Sequence, residues 1–114
     1  MTPEELITTL YGRLGQLDRE GMLELIAEDV EWVNEPKDIH IRSKDELRAL
    51  WTKYMGAARI EMEATSITLT DKGAKSIVRE RVWNLDGELL FDGPVGHDYT
   101  VEKSLIRRCD IVDA

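Results

Sequence analysis

From Arg59 to the C-terminus of this 114-residue chain, apolar residues recur at every second position, whereas most of the chain before it carries them at helical spacing. That switch of period restricts the chain to helices first and an antiparallel meander after, an α+β arrangement in one domain spanning 1–114. The helical part is well punctuated. Thr2, Pro3 and Glu5 form a capping box with proline at the first helical position, ahead of a stripe of Leu6, Leu10, Leu14 and Leu17 flanked by Ile7 and Tyr11. Asp18 caps a second, shorter helix that turns Met22, Leu23 and Ile26 inward and ends at residues 27–29. Ser43 and Glu46 open a third, with Leu47, Leu50, Trp51 and Tyr54 on its buried side and Gly56 at its end.

Strands are expected at 30–34 and, after Pro36, in an irregular or short-strand segment at 37–42. Ile60, Met62 and Ala64 alternate in one phase and Ile67 and Leu69 in the other, which predicts a bulge near Thr65 and Ser66. Asp71 to Gly73 reads as a turn, 75–85 as a strand, and Asp86 with Gly87 as a hairpin. A long strand at 88–102 should bend or bulge at Gly93 and Pro94, and 105–112 should be the last strand. A sheet of this length is expected to curl around the helices and leave a pocket.

The net charge of −8 argues against a nucleic-acid partner. No apolar run approaches the roughly 20 residues of a membrane span, and no basic segment followed by an apolar one opens the chain. Cys109 is the single cysteine, so no intramolecular disulfide is possible and a cytoplasmic location is expected. Glycine-rich phosphate loops, paired-cysteine spacing and a His-Glu-x-x-His helix are all missing, so neither a cofactor nor a metal is expected.

Candidate site residues follow from which side chains share a face. Period 2 places Trp32 and Asn34 together, an aromatic and a neutral amide suited to a pocket wall. Tyr11 lies on an apolar helix stripe, where its hydroxyl must find a partner. Along the strand at 77–83, Arg79, Arg81 and Trp83 share one face and Val78, Glu80 and Val82 the other. Two arrangements are open: arginines solvated over a valine core, or Arg81 inward with Val78 and Val82 on an outer face where a homodimer would form. The second is preferred here, and an inward guanidinium then needs a carboxylate partner. His97 and Tyr99 alternate on the penultimate strand, where His97 is either a satisfied structural residue or an acid/base group.

The order of elements, and the segment from Asp29 to Pro36, resemble the NTF2-like superfamily of cone-shaped domains. Within it the chain is most similar to the limonene-epoxide-hydrolase-like and SnoaL-like branches, with ketosteroid isomerase a more distant relative. The resemblance implies that Asn34 matches an asparagine that positions water, with Trp32 where that family has tyrosine. It puts Arg81 on the family's arginine, Trp83 in place of one catalytic aspartate and Asp110 on the other, which makes Asp110 the carboxylate partner of Arg81; the register there is ambiguous by one residue, because either Leu105 or Ile106 can take the family's aliphatic place. In the ketosteroid isomerases, the region of His97 holds an oxyanion-stabilising acid and a tyrosine placed like Tyr11 is a phenolic donor. A pocket lined by Tyr11, Trp32, Trp51, Trp83 and Tyr99, with Asn34, Arg81, His97 and Asp110 converging on it, is therefore expected. The implied activity is cofactor-independent acid/base chemistry on a small hydrophobic molecule: epoxide opening, isomerisation or cyclisation. Epoxide opening should be weak, since Trp83 removes a carboxylate. The rival is a non-catalytic ligand-binding or dimerisation module of the same fold.

Overall fold

The computed structural model describes residues 1–114. Thr2 caps helix α1 (Pro3–Gly15): its hydroxyl accepts from the Glu5 amide while the Glu5 carboxylate accepts from the Thr2 amide. Asp18 caps α2 (Arg19–Leu23) through the Gly21 amide, and Ser43 caps α3 (Lys44–Ala57) through that of Glu46. The second helix is shorter than its pattern implied. Ile26, assigned to that helix by spacing, instead begins strand β1 (Ile26–Asn34), where it pairs with Ile106 and is fully buried. Gly56 does not end α3, which stops one residue later as Ala58 turns extended.

A 3-10 turn at Glu35–Lys37 leads into β2 (Ile39–Ile41), followed after α3 by β3 (Ala58–Leu69), β4 (Gly73–Asn84), β5 (Leu89–Glu102) and β6 (Leu105–Val112). The six strands form one sheet in the order β2-β1-β6-β5-β4-β3, in which only the β1–β6 pair is parallel. Pairing of β3 with β4 slips between Ala64 and Ser66, at the predicted phase change. The Asn84 side chain accepts from the Asp86 and Glu88 amides to close the β4–β5 hairpin, with Gly87 at φ 88°. Lys103 and Ser104, at φ 52° and 62°, turn β5 into β6.

No bulge lies at Gly93 and Pro94. Pairing runs unbroken through both residues, and the slip lies at Leu90, between the Val82–Phe91 and Trp83–Leu89 pairs. Proline is tolerated because β5 meets β6 only from Gly96 onward, so at Pro94 it is an edge strand. The core, built from Leu6, Ile7, Leu10 and Leu14 of α1, Leu47 and Trp51 of α3, and Ile26, Val30, Tyr99 and Ile106 of the sheet, fills the concave side. No helix is long and apolar enough to cross a membrane.

The phase of β4 overturns the preferred arrangement. Ala74, Ser76 and Val78 are buried and Val82 reaches the interior cavity, whereas Lys75 and Arg79 are exposed. Burying small and apolar side chains costs nothing comparable to desolvating two guanidinium groups, so the valines take the inside. The apolar outer strip of Val78 and Val82 from which a homodimer was argued does not exist.

Candidate active site

Between the helices and the concave sheet lies a cavity of about 590 Å³, with 17 of its 24 lining residues hydrophobic, so an occupant is held mainly by desolvation. Leu10 and Leu14 of α1, Met22 of α2, Trp51 of α3, Ile60 and Met62 of β3, Val82 of β4 and Phe91 of β5 contribute to its walls. Trp32 meets Trp51 edge to face at 5.3 Å between ring centroids and stands 6.3 Å from Tyr99, giving a rigid aromatic wall.

One group of polar side chains converges on this space. The Tyr11 hydroxyl oxygen lies 2.5 Å from Ser76 Oγ, 2.8 Å from the Tyr99 hydroxyl and 3.4 Å from His97 Nδ1. The imidazole stacks on Tyr99, with planes 19° apart. Proton accounting makes Tyr11 the hub. Ser76 and Tyr99 are fully buried and have no other side-chain partner, so both hydroxyls are satisfied by donating to the two lone pairs of Tyr11. The Tyr11 proton is then left for a long bond to His97 or for an acceptor in the cavity.

Burial keeps the cluster uncharged at neutral pH. It pushes the Tyr11 phenol up to about 12, although the Ser76 and Tyr99 hydrogen bonds pull the other way. It raises Tyr99 well above an ordinary phenol and lowers His97 to about 4. The arrangement thus offers neutral hydrogen-bond donation to an oxygen atom. Neutral His97 is a weak base. Asn34, at the end of β1, and Glu80, on the inner face of β4, line the same cavity, as do Lys37 and Asp113.

No protein-family model matches the sequence. No curated protein matches it. Solved structures do. A protein assigned as a polyketide cyclase from Pseudomonas putida superimposes with a TM-score of 0.87 at 19% identity, covering 98% of this chain and 91% of the other. An NTF2-like protein of unknown function from Burkholderia pseudomallei gives 0.85 at 14% identity over 98% and 90%. The fold is NTF2-like. A Delta 5-3-ketosteroid isomerase from Mycobacterium sp. shares it as well, with a TM-score of 0.81 at 18% identity over 98% and 93% of the two chains.

Inside this NTF2-like cone the structure brings together Tyr11, Trp32, Asn34, Trp51, His97 and Tyr99 on one cavity. It does not bring Arg81, Trp83 or Asp110 there. Arg81 lies on the outer face, 3.8 Å from Asp92 and 4.0 Å from Glu61. Trp83 is outside too, with the Arg59 guanidinium 4.2 Å above its ring. Asp110 binds Arg108 through two 2.9 Å hydrogen bonds, beside Glu31, which accepts from Arg108 at 2.6 Å. The expected Arg81–Asp110 pair is therefore absent, with β5 between their strands. The cause in β6 is a register slip. Thr100 pairs with Arg108 but Val101 with Ile106, so Arg107 is an extra residue, Cys109 turns into the core and Asp110 faces out.

Sequence reading missed Ser76 and Glu80. Both share the strand phase of Val78 and Val82, and taking those valines as the covered face would have placed them inside. Nothing in the sequence joins Ser76 to Tyr11, 65 residues away.

Proposed function

We propose that this protein binds a small, mostly apolar cyclic molecule bearing a carbonyl or enol oxygen, and rearranges it by cofactor-free acid/base chemistry, isomerisation or cyclisation. The observation that carries this is the cluster of Tyr11, Tyr99 and His97, backed by Ser76, in a mostly apolar cavity. A carbonyl oxygen placed at Tyr11 takes its free proton as a hydrogen bond. As the carbon skeleton loses a proton, charge collects on that oxygen, and the same bond strengthens where it lowers the barrier. Two donors on the Tyr11 oxygen make its remaining proton a better one. Two structures with this fold bear the names polyketide cyclase and ketosteroid isomerase, and both names denote keto compounds, which supports this reading. Epoxide opening is not part of the proposal, because Arg81 and Asp110, the groups that would run it, are on the outer face.

A bicyclic enone such as a hexahydronaphthalenone suits a test. Trp32 and Trp51 line the cavity, so their fluorescence reports its occupancy. Saturable quenching is expected, weakened about tenfold in Tyr11→Phe, as loss of one ~1.4 kcal/mol hydrogen bond requires. Equal affinity of both proteins would contradict the placement of the oxygen at Tyr11.

A further inference from the structure

Glu80 lines the cavity from β4, directly opposite Met62 on β3 and Gly93 on β5. Its carboxylate accepts no hydrogen bond from the protein and joins no ion pair. Burial raises the carboxyl above its ordinary range, and Lys37 at the cavity opposes this from too far away to pair with it. A half-buried carboxylate without a partner costs stability, which a bound positive group would restore. Phe91 stands beside it. Phe91 pairs with Val82, two residues along β4, so it is the diagonal neighbour of Glu80, within reach of a long side chain. A Cβ on Gly93 would fall 3.2 Å from the Phe91 ring, so the ring leans over Gly93 toward Glu80, and a side chain there would crowd it. The cavity wall thus presents an aromatic ring next to an unpartnered carboxylate, with Met62 and Val82 as apolar surroundings.

We propose that Glu80 and Phe91 form a recognition point for an organic ammonium group, so that the cavity takes a protonated tertiary amine on an apolar skeleton. The ammonium N–H donates to the Glu80 carboxylate, a charge-assisted bond, while the N-alkyl carbons lie against the Phe91 ring, whose face attracts positive charge. A carboxylate by itself would serve a small hydrated cation equally well. The ring and the apolar walls select a cation whose charge is already wrapped in carbon. The surrounding field has the right sign: Glu80 and Asp113 line the cavity against the single cation Lys37, and the whole chain carries a net charge of −8. This assignment takes from the reading above only that the cavity is a ligand site, and it does not depend on what Tyr11 holds.

The experiment titrates the protein at neutral pH with N,N-dimethylbenzylamine, which is then protonated, and with benzyl methyl ether, a neutral molecule of nearly the same size. Fluorescence of Trp32 and Trp51 reports occupancy. The wild type should bind the amine more tightly than the ether. Glu80→Gln should weaken the amine about 10–100-fold, as loss of a charge-assisted hydrogen bond requires, and leave the ether unchanged, so that the order reverses. Phe91→Leu should weaken the amine about threefold and the ether less. A wild type that binds the ether as tightly as the amine overturns the proposal, and this comparison decides it even if Glu80→Gln does not fold. Amine affinity that survives Glu80→Gln overturns it as well. The neutral hexahydronaphthalenone, titrated alongside, should bind the wild type and Glu80→Gln equally. If it fails to bind while the amine behaves as expected, the reading of Tyr11 falls and the ammonium site stands; the opposite result removes the ammonium site alone.

Discussion

His97 is the side chain whose burial has the clearest consequence away from the chemistry. At 2% exposure its pKa falls to about 4, against about 6.5 in an unfolded chain. Between those values the unfolded chain binds the proton and the native one does not, so stability rises with pH across the window. The contribution is complete above pH 6.5 and lost as pH falls toward 4, about 3 kcal/mol in all. Denaturant midpoints taken from pH 5 to 7 should show this slope in the wild type and not in His97→Phe; equal slopes would mean the imidazole is solvated. Residue types made several members of the site legible in advance: a tyrosine on an apolar helix stripe, an asparagine in a strand, a histidine alternating with a tyrosine. What residue types do not carry is partnership. Ser76 is an unremarkable small residue in sequence and becomes a buried anchor only because β4 brings it under α1.

At the scale of elements, starts and turns were legible because their causes are local. Caps at Thr2, Asp18 and Ser43, the turn at Gly87 and the slip near Thr65 each depend on residues within a few positions. Strand phase is not local. Choosing which face of β4 or β6 points inward requires knowing what covers it, and one extra residue at Arg107 was enough to turn Asp110 outward. Two glycines illustrate the same divide. A Cβ at Gly73 would meet the Tyr99 carbonyl oxygen at 2.5 Å and Val101 at 3.0 Å, so β4 can approach β5 there only without a side chain. Gly12, inside α1, has nothing within 4 Å. Gly73→Ala should therefore destabilise by about 1–3 kcal/mol. Gly12→Ala should stabilise by roughly 0.5–1 kcal/mol through helix propensity. Urea midpoints moving in the same direction for both would contradict the packing described for β5.

For the molecule as a whole, the sheet divides two kinds of surface. Its concave side holds apolar residues and the uncharged cluster; its outer side carries Arg79 with Asp92, Arg81 near Glu61, and Arg108 with Glu31 and Asp110. Such exposed pairs contribute little individually, and residues that share no partner do not couple. The changes Arg81→Met and Asp110→Asn should accordingly add, within ~0.3–0.5 kcal/mol, in a double-mutant cycle read by urea. A larger interaction energy would restore the pair that the resemblance implied and displace the site described here. The central claim is that a carbonyl oxygen accepts a hydrogen bond from Tyr11 inside the cone. Its most direct test is the ultraviolet difference spectrum of a bound hexahydronaphthalenone. The enone band should move to longer wavelength on binding to the wild type, as hydrogen bonding to its oxygen requires, and the movement should vanish in Tyr11→Phe at saturating protein. A shift that survives the loss of the Tyr11 hydroxyl, or a bound enone whose band does not move in the wild type, would contradict it.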